Sequence, residues 1–328
     1  MSQVTTSNDL RTAADLIRSA DRIAVLSHVN PDADAIGSVL ALTRGLQAIG
    51  KHAVGLLSDL VPEYAGFLDG AADIEHSLPD GVDLYAFVDA AGIDRVGALY
   101  SDRPERFEGA RILNLDHHRT NPCFGSVNVV DPAASSTAEI VFHLLQSMQA
   151  PIDRGIADAL LFGVVGDTGS FRNGATTPGS METAAELLRL GADTQMVAHQ
   201  LFERKTFAAA RLYGRIMSTI ELDRERRIVF GYMSQAMLAE EGATADEAEG
   251  VAEEMRGIVE AEVVILLKET PSGEMRVSMR SRPAIDVAQI CTALGGGGHR
   301  QAAGCTLPAP MEEARATLVR TFDSFYPR

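Results

Sequence analysis

The chain has 328 residues, more than one typical hydrophobic core accommodates, which sets an expectation of two domains. Its 29 Lys and Arg against 45 Asp and Glu give a formal net charge of −16, a field that opposes duplex DNA and long single strands but tolerates a short anion held by a few local cations. Residues 1 to 22 hold no apolar run suited to a signal peptide, no later run has the length of a membrane span, and Cys123, Cys291 and Cys305 have no metal-ligand spacing, so a reducing cytoplasm without membrane partners is expected.

Leu10, Ala13, Leu16 and Ile17 read as an amphipathic lead-in helix. The short apolar run Ile23 to Leu26 then reads as a buried parallel strand, stopped at Pro31, with a helix from about Ala33 through Leu40, Leu42 and Leu46. His28, Asp32 and Asp34 fall in the turn between them, at the carboxyl edge where open α/β sheets hold ligands. Asp32 would also serve as an ordinary helix cap. Further strands are expected near 52–57, 84–89, 111–115 and 127–130. Leu84 to Val88 runs into Asp89, Arg111 to Leu115 into Asp116-His117-His118, and Leu161 to Val165 into Gly166-Asp167-Thr168-Gly169. The last segment reads as a strand or as a buried helix. Strand ends lie along one edge of a parallel sheet, so these acids and imidazoles can converge from distant positions. Carboxylates and imidazoles without thiolates favour a hard divalent ion such as manganese or magnesium over structural zinc. So many candidate ligands exceed the needs of one ion, and two are expected.

Asp131 to Glu139 reads as a turn and helix start, with Ser136 and Glu139 at capping-box spacing. Capping is the first reading of Ser136, and substrate contact the second. Residues 186 to about 225 have helical periodicity, broken at Gly191-Ala192-Asp193. The acidic stretch 239–256 reads as a solvated helix face, and Arg227 to Tyr232, Glu262 to Leu267 and Met275 to Met279 as strands of a smaller mixed sheet. Glycines 295 to 298 lead into His299. They form either a flexible loop or a stretch whose bare backbone N–H groups approach phosphate oxygens, with His299 and Arg280 as phosphate partners. Arg282 reads as ligand or as surface charge.

With these motifs in order, His28-x-x-x-Asp32-x-Asp34, Asp89, Asp116-His117-His118 and Asp167 in Gly-Asp-Thr-Gly-Ser-Phe-Arg, the sequence resembles the DHH phosphoesterase superfamily. Gly295 to Gly304 is similar to the signature of its companion DHH-associated domain. The combination looks most like the nanoRNase branch, which degrades very short RNAs and dephosphorylates 3′-phosphoadenosine 5′-phosphate (pAp). The resemblance implies an α/β fold, with a doubly wound, mainly parallel sheet over residues 1–190, a helical connector over 191–225 and a mixed α/β substrate-binding domain over 226–328. The active site is expected in the cleft between the domains.

It further implies one ion on His28, Asp32 and Asp89 and another on Asp34, Asp89, His117 and Asp167, with manganese ahead of magnesium or cobalt and a metal-activated water as nucleophile. His118 is the candidate for touching the scissile phosphate or protonating the leaving oxygen, and Asp116 for orienting a neighbouring imidazole. Arg280, His299, Gly297, Gly298, Arg119, Asn121 and Ser136 are the substrate-side candidates. The expected substrates are short RNA oligonucleotides or pAp. Cyclic di-AMP or its linear form, single-strand exonuclease action, pyrophosphatase action and a noncatalytic nucleotide sensor remain as alternatives. A homodimer is expected.

Overall fold

Five short runs of β-branched and aliphatic residues build the first sheet: β1 (Arg22–Leu26), β2 (His52–Leu56), β3 (Leu84–Val88), β4 (Ile112–Asp116) and β5 (Val127–Val130). Their order is β2-β1-β3-β4-β5, and every pairing is parallel. The strands are apolar on both faces because both faces are covered. Ile23 and Val25 of β1 enter a core shared with helices, whereas Ala24 and Leu26 join Tyr85, Phe87, Phe107 and Ile112 on the other side.

The computed structural model describes residues 7–327, and the chain divides into two compact units between Arg204 and Lys205. Helices of the first unit are α1 (Ser7–Arg18), α2 (Ala33–Ala48), α3 (Ala98–Ser101), α4 (Thr137–Ser147), α5 (Arg154–Asp167), α6 (Pro178–Arg189) and α7 (Thr194–Ala198). The strand reading of Leu161 to Val165 is corrected: this segment is the last part of α5. Leu160, Leu161, Phe162, Val164 and Val165 are all buried, so the helix is apolar around its circumference and has no 3.6-residue stripe.

Close approach of α2 and α5 fixes where the acids at their ends lie. Gly37 sits where a Cβ would come within 2.3 Å of the Ala159 carbonyl oxygen, and Gly166 where one would come within 2.4 Å of the Ala33 Cβ. At Gly163 an added Cβ would stand 2.6 Å from the Ala138 Cβ and 2.8 Å from Asp34 Oδ1. The missing side chains therefore let α5 seat directly against the start of α2.

The second unit contains α8 (Phe207–Ser218), β6 (Glu221–Asp223), β7 (Ile228–Met233), α9 (Gln235–Glu241), α10 (Val251–Met255), β8 (Val263–Glu269), β9 (Met275–Ser281), α11 (Val287–Ala293), β10 (Gly297–His299), β11 (Ala302–Leu307) and α12 (Met311–Phe325). Its sheet has the order β10-β11-β9-β8-β7-β6, with β7 and β8 parallel and the other pairings antiparallel. Met275, Val277 and Met279 pack with α11 and α12, and Val229, Val264 and Leu266 pack with α8, α9 and α10 on the opposite face. The division between units falls within the segment 191–225, with α7 on the first side and α8 on the second. No helix among the described residues is long and apolar enough to cross a membrane.

Gly163→Val should lower the thermal midpoint by roughly 3–10 °C, the effect of overpacking a rigid helix contact. Gly214→Ala, in the interior of α8 with open space around it, should leave the midpoint unchanged or slightly raised. Circular-dichroism melts of the two variants check the contrast.

Candidate active site

Strand order reverses at β1, which has β2 on one side and β3 on the other. Such a switch point opens a crevice at the carboxyl ends of the two central strands. His28 follows β1 and Asp89 follows β3, and they meet there with His28 Nε2 3.4 Å from Asp89 Oδ2. Asp89 is only 2% exposed and has φ of +53°, a left-handed conformation that is costly for a residue with a side chain. Its N–H is held by the Leu115 carbonyl at 3.0 Å. Asp89 Oδ1 accepts from the Thr137 hydroxyl at 3.0 Å and faces His117 Nε2 at 3.6 Å.

The other side chains converge from three elements. His28 Nδ1 lies 2.9 Å from the Val29 carbonyl, to which it donates, and this leaves Nε2 as the free nitrogen facing the acids. Asp32 caps α2, its Oδ1 accepting from the N–H groups of Asp34 and Ala35, and the same oxygen lies 3.9 Å from His28 Nε2. The carboxylate that caps the helix thus also stands near the imidazole. Asp34 is buried beneath the start of α4, where the N–H groups of Thr137 and Ala138 donate to it at 2.6 and 2.9 Å. Asp167, the last residue of α5, puts Oδ2 3.2 Å from His117 Nε2. Three overlapping groups result, His28-Asp32-Asp89, Asp34-His117-Asp167 and Asp89-His117-His118, each with donor atoms within 4.8 Å of one another.

The charge on this cluster is met by histidines alone among the basic side chains of the described residues. Among the described residues, no lysine or arginine pairs with Asp32, Asp34, Asp89 or Asp167, and the partners of Asp89 and Asp167 are histidines. Burial, then the charges of Asp89 and Asp167, push the Asp34 carboxyl well above the ordinary range. Asp167 is pushed up to about 6, chiefly by burial, with His117 opposing and Asp89 and Asp32 adding. Burial acts against charge on Asp89 too, but the His28 hydrogen bond and the charges of His117 and His118 outweigh it and lower its pKa. Burial likewise opposes the charged form of His28, and the Asp89 hydrogen bond reverses the effect and raises its pKa. A pocket of oxygen and imidazole donors with this surplus of negative charge fits hard divalent cations.

Asp116 is fully buried and belongs to none of these three groups. Its Oδ1 accepts from the His117 and His118 N–H groups at 2.8 and 3.2 Å and from His118 Nδ1 at 2.8 Å. That bond, against the opposing effect of burial, raises His118 to about 9. Asn121 has partners within the protein. Its amide donates to Asp116 Oδ2 at 2.5 Å and its Oδ1 accepts from Asn114 and from the Cys123 N–H, so it braces the triplet. Ser136 is likewise buried, accepting from the Glu139 N–H as the cap of α4, while the Glu139 carboxylate turns to Ser135 and leaves the capping box half formed. Arg119 stands exposed beside the triplet. Thr137 was missed by sequence reasoning; its place next to a capping serine marked a helix start, and nothing local signalled a bond to Asp89.

In the second unit, the glycine run is neither a loop nor wholly a bare approach for ligand: Gly297, Gly298 and His299 form edge strand β10, paired with Gly304, Ala303 and Ala302. A Cβ at Gly296 would come within 2.1 Å of the Gly304 carbonyl oxygen, and one at Gly298 within 2.5 Å of that of Ala302, whereas Gly297 has open space. Arg280 lies in β9 opposite Ala302, itself opposite His299, so the guanidinium and imidazole share one sheet face, two strands apart with Ala302 between them. Glu253 of α10 lies 3.3 Å from Arg280 Nε, so the acidic stretch is in part the partner of this arginine. Arg282 is structural, donating to the Ala261 and Val259 carbonyls.

Residues 22–164 match the DHH family, N-terminal domain, and residues 228–326 match the DHHA1 domain. The chain is 35% identical over 306 residues to the bifunctional oligoribonuclease and PAP phosphatase NrnA of Thermus thermophilus, covering 91% of this chain and 88% of that one. It is 28% identical to the cyclic-di-AMP phosphodiesterase PdeA of Listeria monocytogenes, over 95% of this chain and 49% of the longer relative. In fold, an exopolyphosphatase-related protein from Bacteroides fragilis superposes with a TM-score of 0.89 at 22% identity, covering 100% and 99% of the two chains.

The raised Asp167 carboxyl gives a signed expectation. Its folded pKa of about 6 exceeds the ordinary value, so its contribution to stability is present below about 4 and is lost as pH rises through about 6. Divalent cations compete with those protons. Added manganese should therefore raise the thermal midpoint more at pH 7.5 than at pH 5.5, and Asp167→Asn should shrink that difference; scanning fluorimetry with and without chelator reads both.

Proposed function

This chain belongs to the DHH family, in the branch of oligoribonucleases and PAP phosphatases, and from that premise we propose that it hydrolyses short oligoribonucleotides and pAp to mononucleotides. The observation that carries the reading is the buried carboxylate of Asp89, which stands with His28 and Asp32 in one group of ligand atoms and with His117 and His118 in another, while His117 also stands with Asp34 and Asp167. His28 and Asp32 would hold one ion with it, and Asp34, His117 and Asp167 a second, manganese being favoured by the mixture of carboxylate and imidazole donors. When bound, such a pair supplies hydroxide at neutral pH and neutralises charge on the phosphoryl oxygens.

The remaining work falls to the protein's own groups. His118 is half-exposed beside the cluster, and the Asp116 hydrogen bond favours its protonated form, as suits a donor to the leaving oxygen. Asp116 holds that imidazole through Nδ1 and leaves Nε2 to face substrate. Asn121 and the two backbone N–H groups fix Asp116 in turn. On the second unit, Arg280 and His299 would take a further phosphate of the substrate, with Gly297 leaving its backbone approachable. Likeness to the cyclic-di-AMP phosphodiesterase supports that dinucleotide, or its linear product, as the alternative substrate.

His118→Ala should lower kcat on the dinucleotide pApA by about 100-fold or more, and Asp116→Asn by about 10–100-fold, with the fold retained. Chromatographic product analysis with manganese, run in parallel on pAp and cyclic di-AMP, checks both the residues and the substrate. Undiminished release of AMP by His118→Ala would contradict its role.

A further inference from the structure

Side chains of β9 alternate between two environments. Met275, Val277 and Met279 enter the core beneath α11 and α12, so Arg276, Ser278 and Arg280 share the opposite face. The register places Lys268 of β8 directly across from Arg276, with Thr306, Gly304 and Ala302 of β11 on the other side and Gly297 and His299 of β10 beyond. Over β7 and β8 this face is covered, because Val229, Met233, Val264 and Leu266 pack against α8, α9 and α10. Over β9, β11 and β10 its floor is Ser278, Gly304 and Ala302, all small.

A lysine directly across from an arginine is a like-charge pair, which destabilises a sheet unless something neutralises it. In a chain with 45 acidic residues, neither Lys268 nor Arg276 forms an ion pair among the described residues. Glu249 and Asp246 lie near enough to feel the Lys268 charge without bonding to it. Burial, with the Arg276 charge adding, holds the Lys268 ammonium below its ordinary value. A partly buried lysine beside an exposed arginine, neither ion-paired among the described residues, on the face that carries Arg280 and His299, makes a place where an anion relieves like-charge repulsion.

We propose that Lys268 and Arg276 form a second phosphate seat, which holds a phosphate of a short oligonucleotide lying farther along the chain than the one met by Arg280 and His299. Four residues of extended strand separate Arg276 from Arg280, about 13 Å, a span comparable with two extended phosphodiester steps. The seat therefore acts on oligonucleotides of several residues and not on pAp. It rests on the oligoribonucleotide reading of the site and names the residues that would make affinity depend on length.

The test is equilibrium binding of 5′-fluorescein-labelled pentaadenylate RNA, with unlabelled diadenylate and pAp as competitors, in EDTA so that the probes survive. In the Lys268→Gln/Arg276→Gln protein, the pentanucleotide Kd should rise about 10-fold and its log–log salt slope should fall by about 1, with pAp unchanged. The charge-preserving Lys268→Arg/Arg276→Lys protein should bind as wild type does. Unchanged pentanucleotide affinity, or an equal loss for pAp, would overturn the seat, as would wild-type protein that binds five nucleotides no tighter than two. Should the length dependence appear while wild-type protein with manganese releases no mononucleotide, the seat stands and the hydrolytic reading fails.

Discussion

Everything in the first unit is arranged around one buried carboxylate, Asp89. A lone ionised acid at this depth would cost several kcal/mol, and Asp89 keeps its charge only because His28, His117 and the Thr137 hydroxyl surround it. The surrounding groups come from the ends of β1 and β4 and the start of α4, so they meet only if sheet order, strand lengths and helix seating are all correct. The left-handed backbone at Asp89 belongs to the same constraint: it aims the side chain into the crevice, and the bond from its N–H to Leu115 holds it there. Strain, burial and crowded carboxylates thus coincide at a topological switch point, where the donor set suits divalent cations.

Much of this could be read from the sequence because the chemistry sits at strand ends. Hydrophobic runs ending in His28, Asp89 and Asp116-His117-His118 announce parallel strands whose carboxyl ends share an edge, and those residues do converge. Asp167 was legible as a site residue while its element was ambiguous, since a helix buried on every side has no polar face to reveal its period. Thr137, and the bond from Asn121 to Asp116, were hidden for a different reason. Small polar residues in turns have ordinary structural uses, and only the folded chain shows that one hydroxyl reaches Asp89 and one amide braces Asp116. Of the glycine run, sequence showed that side chains are absent but not why. Gly296 and Gly298 are required by contact with β11, while Gly297 faces open space.

The second unit presents several cations on one face of its sheet. Alternation along β9 sorts methionine and valine into the core and arginine and serine onto the other face, so a single strand provides both stability and a charged surface. Glu253 beside Arg280 shows that the acidic stretch is not merely solvated; it holds a guanidinium by Nε, while another nitrogen of the fork donates to the Met279 carbonyl. A net charge of −16 thus coexists with local cationic ground, which suits small phosphorylated substrates better than long polyanions.

The most direct test of the central claim is anomalous diffraction at the manganese edge from crystals grown with that ion. The account requires two peaks in the first unit, one against His28 and Asp32, the other against Asp34, His117 and Asp167, with Asp89 touching both. A single peak, or peaks that leave Asp89 without a metal neighbour, would contradict it.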